Sequence, residues 1–160
     1  MPKSAGELMR EKWLVISIFV LGFDQFTKYL STQRLALVDS IAVFPGLDFT
    51  LRYNKGAAWS FLANASGWQR WFFIGLTILI SIGIYVWLGR LSTKEKQAAF
   101  ALSLVLGGAF GNLLDRINYG YVIDFILFHY QSWQWPAFNL ADTAICIGVA
   151  LLIPTLVKKH

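Results

Sequence analysis

Four long apolar stretches decide most of what this chain can become. Residues 71–89 hold nineteen positions without a charge, and residues 97–114 hold eighteen. A third stretch, 137–157, is broken only by Asp142. The fourth opens the chain at 13–23 and continues through polar positions to about residue 30. A helix rising 1.5 Å per residue needs about 20 residues to cross the hydrocarbon of a bilayer. Three stretches have that length, and the first has it if Asp24 and Lys28 lie near one membrane surface. Composition argues against a soluble domain. DEKR make up 14% of the 160 residues and AVILMFWYC 56%, where a soluble domain carries roughly 25% charge. A chain this short cannot bury so much apolar surface in one core.

The basic start and first apolar stretch look like a secretory signal, but no small-residue cleavage site follows. The stretch runs into Asp24-Gln25-Phe26-Thr27-Lys28, so it reads as a retained helix. Orientation is read from Lys and Arg near the helix ends. Lys3, Arg10 and Lys12 flank the first helix, Arg90, Lys94 and Lys96 fill the short second linker, and Lys158 and Lys159 end the chain. Their density places both termini in the cytoplasm, with segments of about 31–69 and 115–137 outside. Much of the net charge of +5 is then a topology signal. A nucleic-acid partner would want a continuous basic patch, so none is expected.

The outer segments hold the informative residues. Ile41-Ala42-Val43-Phe44, Pro45-Gly46 and the alternating 47–53 read as strand, turn and strand. Phe61-Leu62-Ala63 with Trp68 and Trp71 suits a helix in the interface plane, and Tyr130, Trp133 and Trp135 suit interface anchors. Cys146 reads as a small packing residue. His129 and His160 form no spaced ligand set, so neither a metal nor another cofactor is expected.

Carboxylates in apolar surroundings remain, and at membrane depth these are functional-site candidates. Asp24 lies four residues before Lys28, a spacing that suits a structural ion pair. Asp115 precedes Arg116, a cation that favours ionisation and a positioning role. Asp124 sits inside Tyr121-Val122-Ile123-Asp124-Phe125-Ile126-Leu127, where it must be solvated, paired or protonated. Asp142 is either the N-cap of the last helix, or Asn139 takes that place and Asp142 turns into the bundle. A proton-coupled transporter would also place Asp in its helices, but the four helices show no inverted repeat.

In this setting the chain resembles the lipoprotein signal peptidases, the type II signal peptidases of bacteria, over roughly residues 12–157. The resemblance rests on Asp24-Gln25-Phe26-Thr27-Lys28, on Asn54-Lys55-Gly56-Ala57-Ala58-Trp59, on Gly107-Gly108-Ala109-Phe110-Gly111-Asn112 through Asp115-Arg116, on Val122-Ile123-Asp124-Phe125, and on Phe138-Asn139-Leu140-Ala141-Asp142. It implies a multi-pass protein of the bacterial inner membrane with an all-α fold. Its four transmembrane helices span about 13–30, 70–89, 97–114 and 138–157 of a single peptidase domain, 1–160. A small extramembrane β-sheet and an interfacial helix lie on the periplasmic side. The activity it implies is that of a metal-free aspartic endopeptidase, monomeric among membrane lipids. Its substrates are prolipoproteins carrying diacylglyceryl-cysteine, cut just before that cysteine. Asp124 and Asp142 match the catalytic positions. Asp24, Lys28, Asn54, Gly56, Asn112, Asp115, Arg116 and Asn139 match supporting or substrate-binding positions. Two close carboxylates sharing a proton can activate water for peptide hydrolysis, and residue types leave either Asp as the starting base.

Overall fold

A computed structural model describes residues 5–37, 39–56 and 66–157. Its elements run α1 (Ala5–Arg34), β1 (Ser40–Phe44), β2 (Leu47–Asn54), α2 (Trp68–Arg90), α3 (Lys96–Asn118), β3 (Val122–Tyr130), β4 (Trp133–Gln134) and α4 (Leu140–Val157). Each of the four helices contains a span long and apolar enough to cross a membrane, and together they make this a multi-pass membrane protein. The expected interfacial helix falls largely on residues 57–65, outside those described. Trp68 and Trp71, assigned to it from the sequence, belong to α2.

α3 is the buried centre of the bundle, and α1, α2 and α4 pack around it. Close approach is possible because α3 is thin where it is crossed. A Cβ on Gly107 would lie 2.7 Å from the Ser17 carbonyl of α1, and one on Gly108 would overlap the Ala141 carbonyl in the first turn of α4. Small residues let helix backbones approach closely in this way. Outward faces carry Ile18, Phe19, Leu79, Ile82 and Ile153, all exposed, as lipid-facing surfaces require.

The four strands form one antiparallel sheet in chain order. The β1–β2 hairpin turns at Pro45-Gly46 as read from sequence, with Gly46 at φ +92°, a value that suits glycine. The third strand was not anticipated: 121–127 looks in sequence like any buried apolar run. It pairs with β2 because α3 ends at Asn118 and Gly120, at φ +82°, turns the chain straight back over the end of the bundle.

One irregularity aims the sheet. Phe49 faces Ile126 and Arg52 faces Asp124, so β2 holds one residue more than β3 between these pairs. Thr50 and Leu51 are consequently buried in succession. A one-residue slip exchanges the faces of a strand. Beyond the bulge, Arg52 and Asn54 therefore share the face of Asp124.

Candidate active site

Asp124 is carried by β3 and Asp142 by the first turn of α4, and both line a cavity of about 1400 Å³ between sheet and bundle. Neither carboxylate has a cation within ion-pair distance among the described residues. Their partners are amides. Asn139 Nδ2 donates to Asp124 Oδ1 at 2.7 Å, and Asn54 Nδ2 donates to Oδ2 at 3.1 Å. Asn112 Nδ2 donates to Asp142 Oδ1 at 2.8 Å. Burial pushes the Asp124 carboxyl up to about 7, and the charge of Asp142 pushes the same way. Hydrogen bonds from Asn54 and Asn139, and the charge of Lys28, pull it back.

The alternatives for the start of α4 resolve in favour of both residues. Asn139 stands just before the helix and its Oδ1 accepts from the Asp142 N–H at 2.9 Å. Asp142 Oδ2 in return accepts from the Asn139 N–H at 3.3 Å. This reciprocal cap leaves Asp142 Oδ1 turned to Asn112 and the cavity. Asn139 is fully buried and touches groups on both sides, so one side chain ties the start of α4 to Asp124.

Beneath this pair lies a second polar cluster. Lys28, 1% exposed, contacts Asp24 Oδ2 at 2.9 Å and Asp115 Oδ2 at 2.8 Å, and donates to Asn112 Oδ1 at 3.0 Å. The Asp24–Lys28 pair is the one its spacing called for. Asp115 is different: its cation is Lys28, not Arg116. Adjacent residues on a helix point about 100° apart, so Arg116 faces elsewhere. Arg116 Nη2 donates to the Gly56 carbonyl at 2.9 Å, and the Gly56 N–H donates to Asn54 Oδ1 at 3.0 Å. All ten residues singled out from sequence thus join two contiguous networks linked at Asn112.

Sequence reasoning gave no role to Gln25, whose amide donates to Asp115 Oδ1 at 2.9 Å and to the Gly111 carbonyl at 3.1 Å. Its signal was its place between Asp24 and Lys28. Cys146 is a correction. It is exposed and lines the cavity one turn beyond Asp142, because the small residues packing α4 onto α3 are Ala141, Ala144 and Gly148. His129 Nε2 lies 3.1 Å from Asp48 across the sheet.

Fold and site define a membrane protein that gathers two carboxylates in a largely apolar cavity at one end of a helical bundle. The family described as Signal peptidase (SPase) II matches residues 16–158. Lipoprotein signal peptidases of Ectopseudomonas mendocina (strain ymp) and Pseudomonas aeruginosa PAO1 are similar. The first is 52% identical, covering 92% of this chain and 88% of the relative. The second is 50% identical, covering 89% and 86%. A solved structure described as a bacterial membrane enzyme superposes with a TM-score of 0.83 at 36% identity, covering 92% of this chain and 88% of the other. This chain belongs to the signal peptidase II family, and with it to the peptidases.

Proposed function

We propose that this chain removes signal peptides from prolipoproteins as an aspartic endopeptidase, cutting just before a diacylglyceryl-modified cysteine, with Asp124 and Asp142 as the catalytic pair. The observation that carries the reading is the convergence of these two carboxylates, from β3 and α4, on one cavity with amide partners alone. An amide donor orients a carboxylate without fixing its charge, so the pair is free to share and move a proton. The ionised member takes a proton from water as the water oxygen attacks the scissile carbonyl. The protonated member donates to the carbonyl oxygen. Collapse of the tetrahedral intermediate breaks the C–N bond, and a proton passes to the leaving amine of the cysteine. The products are a signal peptide with a new carboxylate and a lipidated cysteine with a free amine. With the Asp124 carboxyl pushed up to about 7 by burial and by Asp142, Asp124 is able to hold the shared proton near neutrality.

The site suits a lipid-bearing substrate because its cavity joins two surfaces. Asn54, Asn112 and Arg116 offer polar groups, while Phe138, Ile145 and Ile147 offer apolar ones. Action as a monomer among membrane lipids belongs to the same proposal. The charge pattern supports an inner-membrane protein with cytoplasmic termini and the sheet on the periplasmic side. The test is cleavage of matched lipidated and unlipidated precursors by purified protein. A large excess of kcat/KM for the lipidated form is expected, and equal values would overturn the substrate assignment. For orientation, in a Cys146→Ala background an impermeant thiol reagent applied from the periplasm should label a cysteine placed at Gln131 and spare one at Thr93.

A further inference from the structure

The buried cluster beneath the catalytic pair has a specific geometry. Asp115 Oδ2, which contacts Lys28, also accepts from the Ile123 N–H at 3.1 Å. Asp24, on its other oxygen, accepts from the Ala141 N–H at 2.9 Å. Ile123 immediately precedes Asp124, and Ala141 immediately precedes Asp142. One cation thus binds two carboxylates, and each carboxylate grips the backbone N–H next to one catalytic residue. The same cation donates to Asn112 Oδ1. That leaves the Asn112 Nδ2 to face outward, where it donates to Asp142.

From this juxtaposition we infer that Lys28 is the positioning residue of the catalytic pair: through Asp24, Asp115 and Asn112 it sets where Asp124 and Asp142 sit relative to one another, and its charge sets the pH range in which they share a proton. The inference rests on the aspartic reading above. The geometry accounts for details that general stabilisation leaves unexplained. A bundle held by an Asp24–Lys28 pair alone would have no need of Asp115. Both carboxylates instead spend an oxygen on the residue before a catalytic Asp. A Cβ on Gly111 would overlap Asp24 Oδ2, so α3 is kept bare where the cluster needs the space. Asp124 is faced by Asp142, Lys28 and Arg116 as charged groups, and by Asn54 and Asn139 as amides. Lys28 and Arg116 are cations that act on it from the bundle, and Arg52, its cross-strand partner, and Lys55 line the same cavity from the sheet side.

The sign of the charge effect follows. A buried cation favours the ionised form of nearby carboxylates. Without it both protons are held more tightly, and both limbs of the pH profile move to higher pH. The experiment measures kcat, KM and the pH profile of precursor cleavage for wild type, Lys28→Gln and Lys28→Arg, with thermal unfolding of each. Lys28→Gln keeps a donor for Asn112 and loses the charge. The expected result is a loss of kcat on the order of a hundredfold per folded enzyme, KM within about threefold, and a profile moved up by roughly one pH unit. Lys28→Arg should restore the profile and part of kcat. An unmoved profile in Lys28→Gln, with activity tracking only the folded fraction, would overturn the inference.

A second measurement does not depend on that variant folding. Relative to other core amides of the same variant, which report the global loss of stability, amide hydrogen exchange should rise at least a further tenfold at Ile123 but not Ala141 in Asp115→Asn, and at Ala141 but not Ile123 in Asp24→Asn. Equal rises at both sites would reduce the cluster to general stability and overturn it. Failure of the aspartic reading is separable. It would appear as turnover by Asp124→Asn, while the exchange pattern would still report the brace.

Discussion

Two pairs of aspartates lie within one end of this bundle, joined through Asn112, yet their surroundings are opposite. Asp24 and Asp115 are sealed, at 0% and 1% exposure, around a lysine. Asp124 and Asp142 line a cavity and are held by Asn54, Asn112 and Asn139. A carboxylate bound to a buried cation has its position fixed by that contact, and removing either partner leaves the other buried and uncompensated. A carboxylate held by neutral amides keeps its geometry in either protonation state. On the proposed aspartic mechanism, the partner, more than burial itself, separates the positioning carboxylates from the catalytic ones.

The comparison breaks most sharply at the cavity pair. Asp124→Asn and Asp142→Asn should each lower single-turnover cleavage by about four orders of magnitude or more, with insertion and precursor binding retained. The double variant should be hardly worse than either, since the pair acts as a unit. Substantial turnover by either single variant would remove it from the pair.

The sealed pair should respond in stability first. Removing one partner of a buried ion pair costs about 3–5 kcal/mol, so Asp24→Asn and Asp115→Asn should unfold at clearly lower temperature in the same detergent. Turnover per folded molecule should stay measurable. Complete loss in a folded Asp115→Asn would place Asp115 in the chemistry and erase the distinction.

Acidity sharpens the contrast further. The Asp124 carboxyl is raised from 3.8 to about 7 on folding. Between those values the folded state binds more protons than the unfolded one, so stability falls as pH rises through this window. Thermal unfolding should therefore come several degrees higher at pH 5 than at pH 8. Asp124→Asn should flatten that difference, and an unchanged slope would show that Asp124 does not carry it.

The smallest effect is expected at the sheet. Asn54→Ala removes one of the two amides on Asp124 and the partner of the Gly56 N–H. Loss of a hydrogen bond to a charged group corresponds to about 1.5–3 kcal/mol. A fall in kcat of roughly ten- to a hundredfold with little change in unfolding temperature is expected. A larger loss of stability than of rate would make Asn54 a structural residue of the sheet.

The helices, the first hairpin and the Asp24–Lys28 pair were legible in the chain because their signals are local, whereas the choice among the other candidate site residues came from the family resemblance. An uncharged run of bilayer length has few alternatives, a Pro-Gly pair between apolar runs turns, and Asp24 and Lys28 meet by helical spacing alone. What remained hidden depends on pairing between distant segments. β3 looks like any buried run until Gly120 folds it onto β2. The bulge at Thr50 and Leu51, which brings Asn54 to the face of Asp124, exists only relative to that partner strand. Asp115 was assigned to its neighbour Arg116, because adjacency in sequence is visible and adjacency in space is not. Helical geometry sends these two side chains apart and brings Lys28 in from α1. Residue types, local spacing and the family motifs thus supplied the candidate groups, and the packing of α1, α3, α4 and the sheet decided which carboxylates meet a cation and which meet only amides. That choice turns on ångström-scale distances between segments up to 117 residues apart, where electrostatic and hydrogen-bond energies change steeply and chain order carries no information.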